Sequence, residues 1–448
     1  MKDKIKNVIA NSEHRNTAIN AFIALFIRVL GAGMAFIFNL LVARHLGAEQ
    51  SGYFFLAFAL VMFLSAFCRI GFENTILRFS GIAAKQQQGK SITAILHYAF
   101  KYTLPLAALM SVLLYLMAEP LAVYGFSKPE MITTLEAIAP AIFGISIVTL
   151  LAMSLQAQQR LTASIPCQNI VHLVLTSVAI LVFSISTATE VSVVFSIALI
   201  VSSIIFYTIW SKGLNQQGQG STKNNQLLDN KELLPNTKAL WTSAQSNWLI
   251  TMMGQTVQWI GPLIAGMWLL AEDVAYLSVA MRIAMLTSFI LMAINLVVAP
   301  KFAAFHASKD MQGLRSTALF SVRLLILSAV PIVSFMFIFP EFLMELFGED
   351  FVSAAGLLQI LVLGQFINVV TGSVGYLLTM SGHERDMRNI TLVAGIMAVV
   401  LTLLLTKSYG VTGCAIATAT SLAFQNLAAV YFVKKRLGFN TLLFWQKI

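Results

Sequence analysis

Apolar runs long enough to cross a bilayer recur along this chain and limit its fold more than any other feature. The first covers about 18–42. Eleven more follow at about 52–70, 99–118, 137–155, 167–186, 191–211, 240–270, 276–299, 319–339, 353–380, 390–406 and 411–433. A helix needs roughly 20 apolar residues to cross the hydrocarbon core. Within lipid, every backbone N–H and C=O must be paired inside the protein, which leaves helices or closed barrels. Runs of this length select helices. Hydrophobic residues make up 58% of the 448 and charged residues only 11%, with a mean hydropathy of +0.80, a balance outside the range of soluble domains. The first run exceeds the apolar core of a signal peptide and further spans follow it, so it reads as a retained helix. The expectation is an all-α integral membrane protein with twelve transmembrane helices.

The net charge of +10 is a topology signal rather than a mark of nucleic-acid binding. With the N-terminus placed in the cytoplasm, 23 of the 29 Lys and Arg fall in cytoplasmic segments or at their helix ends. Arg44, Lys128 and Lys407 fall outside, and Arg28, Arg69 and Arg282 lie within spans. This asymmetry follows the positive-inside rule and places both termini in the cytoplasm. The basic loops also attract anionic membrane lipid.

One stretch has linker character. Residues 212–238 are rich in Gly, Ser, Asn and Gln, which bury too little apolar surface to fold alone. They divide the chain into 1–211 and 239–448, each with six spans. The halves resemble each other at a fixed offset. Ala48-Glu49-Gln50 corresponds to Ala271-Glu272-Asp273, Tyr53 to Tyr276, Ala57 to Ala280, and Arg78-Phe79 to Lys301-Phe302. Gln88-Gly89 corresponds to Gln312-Gly313 and Tyr207 to Tyr431. Six spans return the chain to its starting side, so the repeats are parallel, with a substrate site expected between two six-helix lobes.

Nothing in the sequence points to enzyme chemistry. The outside loops, of which 119–136 and 340–352 are the longest, have no room for a catalytic domain. There is no Walker A loop, no HExxH and no GxSxG in a hydrolase setting. Cys68, Cys167 and Cys414 are far apart and read as small core residues. No metal or cofactor is expected.

The three intramembrane arginines carry the functional reading. A guanidinium stays charged inside a protein, and at mid-bilayer it costs at least ~2.5 kcal/mol, so it faces a water-filled cavity or a partner. Arg28 lies ~15 Å into its span by helix rise, and Asn39, eleven residues on, shares its face with Gly31, Ala32 and Ala35 between. Arg282 lies about six residues inside the outer end of the eighth span. Arg69 lies near the inner end of the second span, with Glu73 at i+4, where a local ion pair forms easily. Cations without matching carboxylates suit an anionic cargo; bonding to backbone carbonyls is the structural alternative.

Two polar stripes could meet a glycan. The seventh span carries Gln245, Trp248, Thr251, Gln255, Gln258 and Trp259, then Pro262 as a candidate kink. The tenth carries Gln365, Asn368, Gly372, Gly375 and Thr379. Spacings of three and four keep each set on one face, and either can serve cargo or helix packing. His97 and His172 are candidates for proton coupling, and a structural role is the simpler reading for both.

Arg28-Val29-Leu30-Gly31 followed by Ala43-Arg44-His45-Leu46-Gly47-Ala48 resembles the opening of the polysaccharide and lipid II flippases of the multidrug/oligosaccharidyl-lipid/polysaccharide exporter superfamily. Val279-Ala280-Met281-Arg282, Pro300-Lys301-Phe302, Gly413-Cys414-Ala415-Ile416-Ala417-Thr418 and Gln425-Asn426 extend the likeness over nearly the whole chain. Twelve spans rather than fourteen look more like O-antigen or exopolysaccharide flippases. The resemblance implies two lobes rocking about a central cavity, with Arg28 and Arg282 where lipid II flippases place diphosphate-binding arginines. The first span of the second half holds no acidic residue, so no acidic ion site carries over to it. The expected function is flipping of an undecaprenyl-diphosphate-linked oligosaccharide across the bacterial cytoplasmic membrane, for O-antigen, capsule or exopolysaccharide. Polysaccharide polymerase or assembly proteins are its expected partners. A drug or cation extruder of the same superfamily is the nearest alternative, and a membrane polymerase a more distant one.

Overall fold

The computed structural model describes residues 2–86, 88–220, 237–443 and 445, with the side chains of 2–25, 85, 214–220, 296 and 300 outside the description. Every regular element among them is helical. Helix α1 (Lys2–Cys68) leads through a turn to α2 (Phe72–Lys85) and then α3 (Gly89–Leu116). Short α4 (Ala118–Pro120) and α5 (Ile132–Ile138) precede α6 (Ala141–Ala157), α7 (Leu161–Asn169), α8 (Val171–Phe183) and α9 (Ala188–Gly220). The second half holds α10 (Thr237–Trp268), α11 (Ala271–Ala307), α12 (Met311–Ile338), α13 (Pro340–Glu345), α14 (Ala355–Val370), α15 (Val374–Met380) and α16 (Glu384–Leu437).

Eight segments among the described residues are long and apolar enough to cross a membrane, or nine if α7 and α8, bent by 43°, make one span. Two of the eight contain breaks. Gly47 (φ 72°, ψ 179°) interrupts α1, and Gly410 (φ 59°, ψ −140°) interrupts α16. Most of the expected linker, residues 221–236, lies outside the described residues; α9 runs into it as far as Gly220.

Local signals set the helix ends. Asp310 caps α12, its side chain accepting from Gly313 N–H at 2.8 Å. Asp273 accepts from Leu270 N–H at 3.3 Å at the start of α11, beside Glu272, where acidic groups complement the helix dipole. Lys434, Lys435 and Arg436 occupy the last turn of α16 before Gly438 at φ 80°. An element pattern recurs between the halves: α3 and α12 each run 28 residues, contain a proline, and lead into a short helix.

One buried apolar core joins the halves, with Phe54, Phe58 and Phe195 in contact with one another and Val274, Leu277 and Cys414 in the same cluster. All three cysteines are free and buried. Two close approaches flank the part of α1 that follows its break at Gly47. Five residues past that break, a Cβ on Gly52 would overlap the Ala271 carbonyl. Beyond its end, Gly71, at φ 74°, packs its backbone against Ala244 and Trp248 of α10, where a side chain would be both strained and in collision. Around the Gly71 contact, Trp248 Nε1 donates to the Phe67 carbonyl at 3.2 Å and Thr75 Oγ1 to Ser243 Oγ at 3.3 Å.

The Gly52 end is further closed by two cations of the first half. Lys128 is buried, and its Nζ donates to the carbonyls of Phe126 (3.1 Å), Gly266 (2.6 Å) and Leu269 (2.6 Å), the last two closing α10. Its burial pushes the ammonium below its ordinary range, opposed by Asp273. Arg44 Nε donates to the Leu346 carbonyl at 2.7 Å. A cation at a helix C-terminus satisfies carbonyls that have no intrahelical donor.

Gly52→Val tests this closure. The collision is with backbone, which cannot rotate away, so the variant should lose about 1–3 kcal/mol and melt several degrees lower in detergent. Unchanged melting would contradict the close approach of α1 and α11.

Candidate functional site

A cavity of about 490 Å³ lies between α1, the α6–α8 region and α10–α11. Arg28 and Asn39 of α1 both line it, with Gly31, Ala32 and Ala35 between them, so this small-residue face borders open space. Helix α11 adds Ser278, Met281, Arg282, Met285, Phe289 and Met292 at helical spacing, and α10 adds Gln258, Trp259 and Pro262. Among the described residues, the cavity lining contains no Asp, Glu or Lys.

Both cavity arginines lack a protein counter-ion among the described residues. The Arg282 guanidinium stacks over Phe55 (4.9 Å) and Phe58 (5.2 Å), and its buried Nε has no hydrogen-bond partner. Cation–π contact recovers only part of the lost hydration. Arg28 is half-buried and makes no hydrogen bond or ion pair to a described residue. The two arginines come from opposite halves of the chain and line one cavity, and a guanidinium suits an anion with several oxygens.

The structure separates Arg69 from this pair. Arg69 is outside the cavity; its Nε meets Glu73 Oε2 at 2.6 Å and its NH1 donates to Ser65 Oγ at 3.1 Å, all buried. That is the local pair its i+4 spacing allows. The stripe of the seventh span is divided. Gln258 and Trp259 line the cavity, whereas Gln255 stands behind, accepting from Trp259 Nε1 at 2.8 Å. Gln365 and Asn368 are away from the cavity and join α14 to α11. Ser288 Oγ donates to Gln365 Oε1 at 2.7 Å, and Asn368 Nδ2 donates to Ser288 Oγ at 3.2 Å. His97 is exposed, with Nδ1 2.9 Å from the Thr93 carbonyl oxygen, while His172 is buried and faces the cavity.

The sequence reading missed Gln156, Gln168 and Asn169, which also line the cavity. Pro166 and the adjacent amide pair inside an otherwise apolar run were the available signal. Their direction depends on the bend at Ile170, between α7 and α8, which a straight helical projection does not contain.

The model of a family described as polysaccharide biosynthesis protein matches residues 18–306, and that of the MatE family matches residues 248–404. The probable low-salt glycan biosynthesis flippase Agl15 of Haloferax volcanii is 21% identical over 429 residues, covering 93% of this chain and 83% of its own. Among solved structures, the inward-facing conformation of a multidrug resistance MATE family transporter of the MOP superfamily aligns with a TM-score of 0.67. Its identity is 15%, over 93% of this chain and 98% of that one. The inward closed conformation of the lipid II flippase MurJ aligns with a TM-score of 0.65 at 13% identity, over 92% and 87%. These two structures share the fold.

Arg69 and Arg282 should respond differently to truncation. Arg69→Ala strands the Glu73 carboxylate in a buried site and should cost about 3–5 kcal/mol. Arg282→Ala removes no ion pair and should cost at most the cation–π contact, ~0.5–2 kcal/mol. Melting curves of the two purified variants should therefore fall in that order; a lower melting point for Arg282→Ala would contradict the assignment of its charge to the cavity.

Proposed function

Because the chain belongs to the polysaccharide biosynthesis protein family, we propose that it flips an undecaprenyl-diphosphate-linked oligosaccharide across the cytoplasmic membrane by alternating access. The observation that carries this reading is the pair of guanidiniums, Arg28 and Arg282, with no counter-ion and no carboxylate beside them in the cavity among the described residues. A diphosphate between them would accept charge-assisted hydrogen bonds from both, each worth ~1.5–3 kcal/mol. The likeness to a glycan flippase in sequence and to a lipid II flippase in fold supports a cargo of this class. In this reading the glycan is destined for O-antigen, capsule or exopolysaccharide.

The topology belongs to the same proposal. Dividing α1 at Gly47 and α16 at Gly410, joining α7 to α8, and adding α10 gives twelve crossings, six in 1–211 and six in 239–448. Both termini and the 212–238 linker would be cytoplasmic by the positive-inside rule. The Gly52–Lys128 end would then be extracytoplasmic, and its contacts would close that side. Rocking of one half against the other would exchange those contacts for access from outside.

The MatE match and the MATE fold favour a second reading, a drug or cation extruder. An extruder of cations needs acidic groups in its cavity, and the lining here is cationic. The two readings separate in cells that depend on this protein for surface glycan. Arg28→Ala should abolish glycan display while the protein remains in the membrane. Arg28→Lys should rescue only partly, because a point charge lacks the bidentate fork. Normal display by Arg28→Ala at native expression would remove the diphosphate role.

A further inference from the structure

We propose that the α6–α8 wall of the cavity, with Asn39 of α1, is a subsite for a neutral sugar bearing hydroxyl and acetamido groups, the unit attached directly to the diphosphate. This rests on the diphosphate reading of Arg28 and Arg282 and adds to it a glycan contact that lies on the first half of the chain. The wall presents Asn39, Gln156, Gln168, Asn169 and His172 to one cavity. The side chains of Gln156, Gln168 and Asn169 make no hydrogen bond to any described residue. Asn39 and His172 are only 4% and 6% exposed, and Asn39 Oδ1 and His172 Nδ1 have no partner. Asn39 Nδ2 is held by the Ala35 carbonyl, which fixes the side chain and leaves its oxygen free to accept. Buried polar atoms are almost always paired, so two orphans on one wall beside three free amides describe a surface that lacks its ligand.

The chemistry of that surface selects the ligand class. An amide supplies both donors and acceptors, which matches the mixed demands of hydroxyls and an acetamido group. The wall has no acidic side chain to hold an amino sugar. Its basic neighbours, Arg28 and Arg282, are occupied by the diphosphate in this reading and are not free for a uronic acid. The α11 wall is different in kind: beyond Ser278 and the diphosphate-binding Arg282, its Met281, Met285 and Met292 offer soft apolar contact and no donors. The cavity therefore orients its cargo, with sugar toward α6–α8 and apolar groups toward α11. The 43° bend between α7 and α8 produces this arrangement, bringing Gln168, Asn169 and His172 to the same cavity across a helix break.

The test measures affinities of the purified full chain in nanodiscs for two lipids. One is undecaprenyl diphosphate; the other carries a single N-acetylhexosamine on the diphosphate. Two net hydrogen bonds of about 1 kcal/mol each give the sugar-bearing lipid about a tenfold to thirtyfold advantage. Gln156→Leu with Gln168→Leu should reduce that advantage to within about twofold and leave binding of the sugar-free lipid unchanged. If the double variant fails to fold, Asn169→Ala, at an exposed position, should by itself cut the advantage about threefold to fivefold. Arg282→Ala should weaken both lipids alike. Equal affinity of the two lipids for the unaltered chain, or an advantage that survives the amide substitutions, would overturn the subsite while leaving the diphosphate reading in place. Tighter binding of a lipid whose first sugar is a uronic acid would overturn its neutral character. Binding of neither lipid would overturn the diphosphate reading, and the subsite with it.

Discussion

A guanidinium in a membrane protein must have its charge answered by a partner, by water or by a ligand. Arg69 finds Glu73 within its own helical neighbourhood. Arg28 and Arg282 find none among the described residues, and the fold brings both to one cavity from opposite halves of the chain. The small residues Gly31, Ala32 and Ala35 keep the α1 face low enough for that space to exist, and Phe55 and Phe58 support Arg282 from behind without neutralising it. A cavity with two fixed positive charges and no carboxylate is electrostatically specific: an anion gains from both, and a cation loses to both.

The surrounding structure holds this cavity between two zones of contact. At one, Gly52 meets Ala271, Lys128 closes α10, and Arg44 reaches Leu346. At the other, Gly71, Thr75 and Phe67 meet α10. The first zone is built largely from hydrogen bonds to helix-end carbonyls, which water can replace once the helices part. Closure of that kind is reversible at modest cost, whereas a buried ion pair between the halves would hold them more rigidly.

Much of this architecture was legible in the sequence because it follows from hydropathy and from residue spacing. The apolar runs announced the membrane helices, and the eleven-residue interval from Arg28 to Asn39 placed both on the cavity face of α1. The i+4 spacing of Arg69 and Glu73 announced their pair. Spacing does not say what a face meets. The tenth-span stripe of Gln365 and Asn368 has the same pattern as the seventh-span one, yet it bonds Ser288 across a helix interface. Gln255 likewise supports Trp259 from one helical turn away, outside the lining. The cavity amides of α7, Gln168 and Asn169, escaped notice because they sit at a bend rather than on a periodic face. The breaks at Gly47 and Gly410 sit inside continuous helical stretches, where only the positive φ of a glycine marks the turn.

The sign of the charge that the cavity accepts decides between a diphosphate lipid and a cation as cargo. The most direct measurement is equilibrium binding of undecaprenyl diphosphate and of a lipophilic cation to the same purified protein, each over a range of ionic strength. The account predicts that the diphosphate lipid binds, that its affinity falls as salt screens the two guanidiniums, and that the cation does not compete. Saturable binding of the cation, with no binding of the diphosphate lipid, would contradict it.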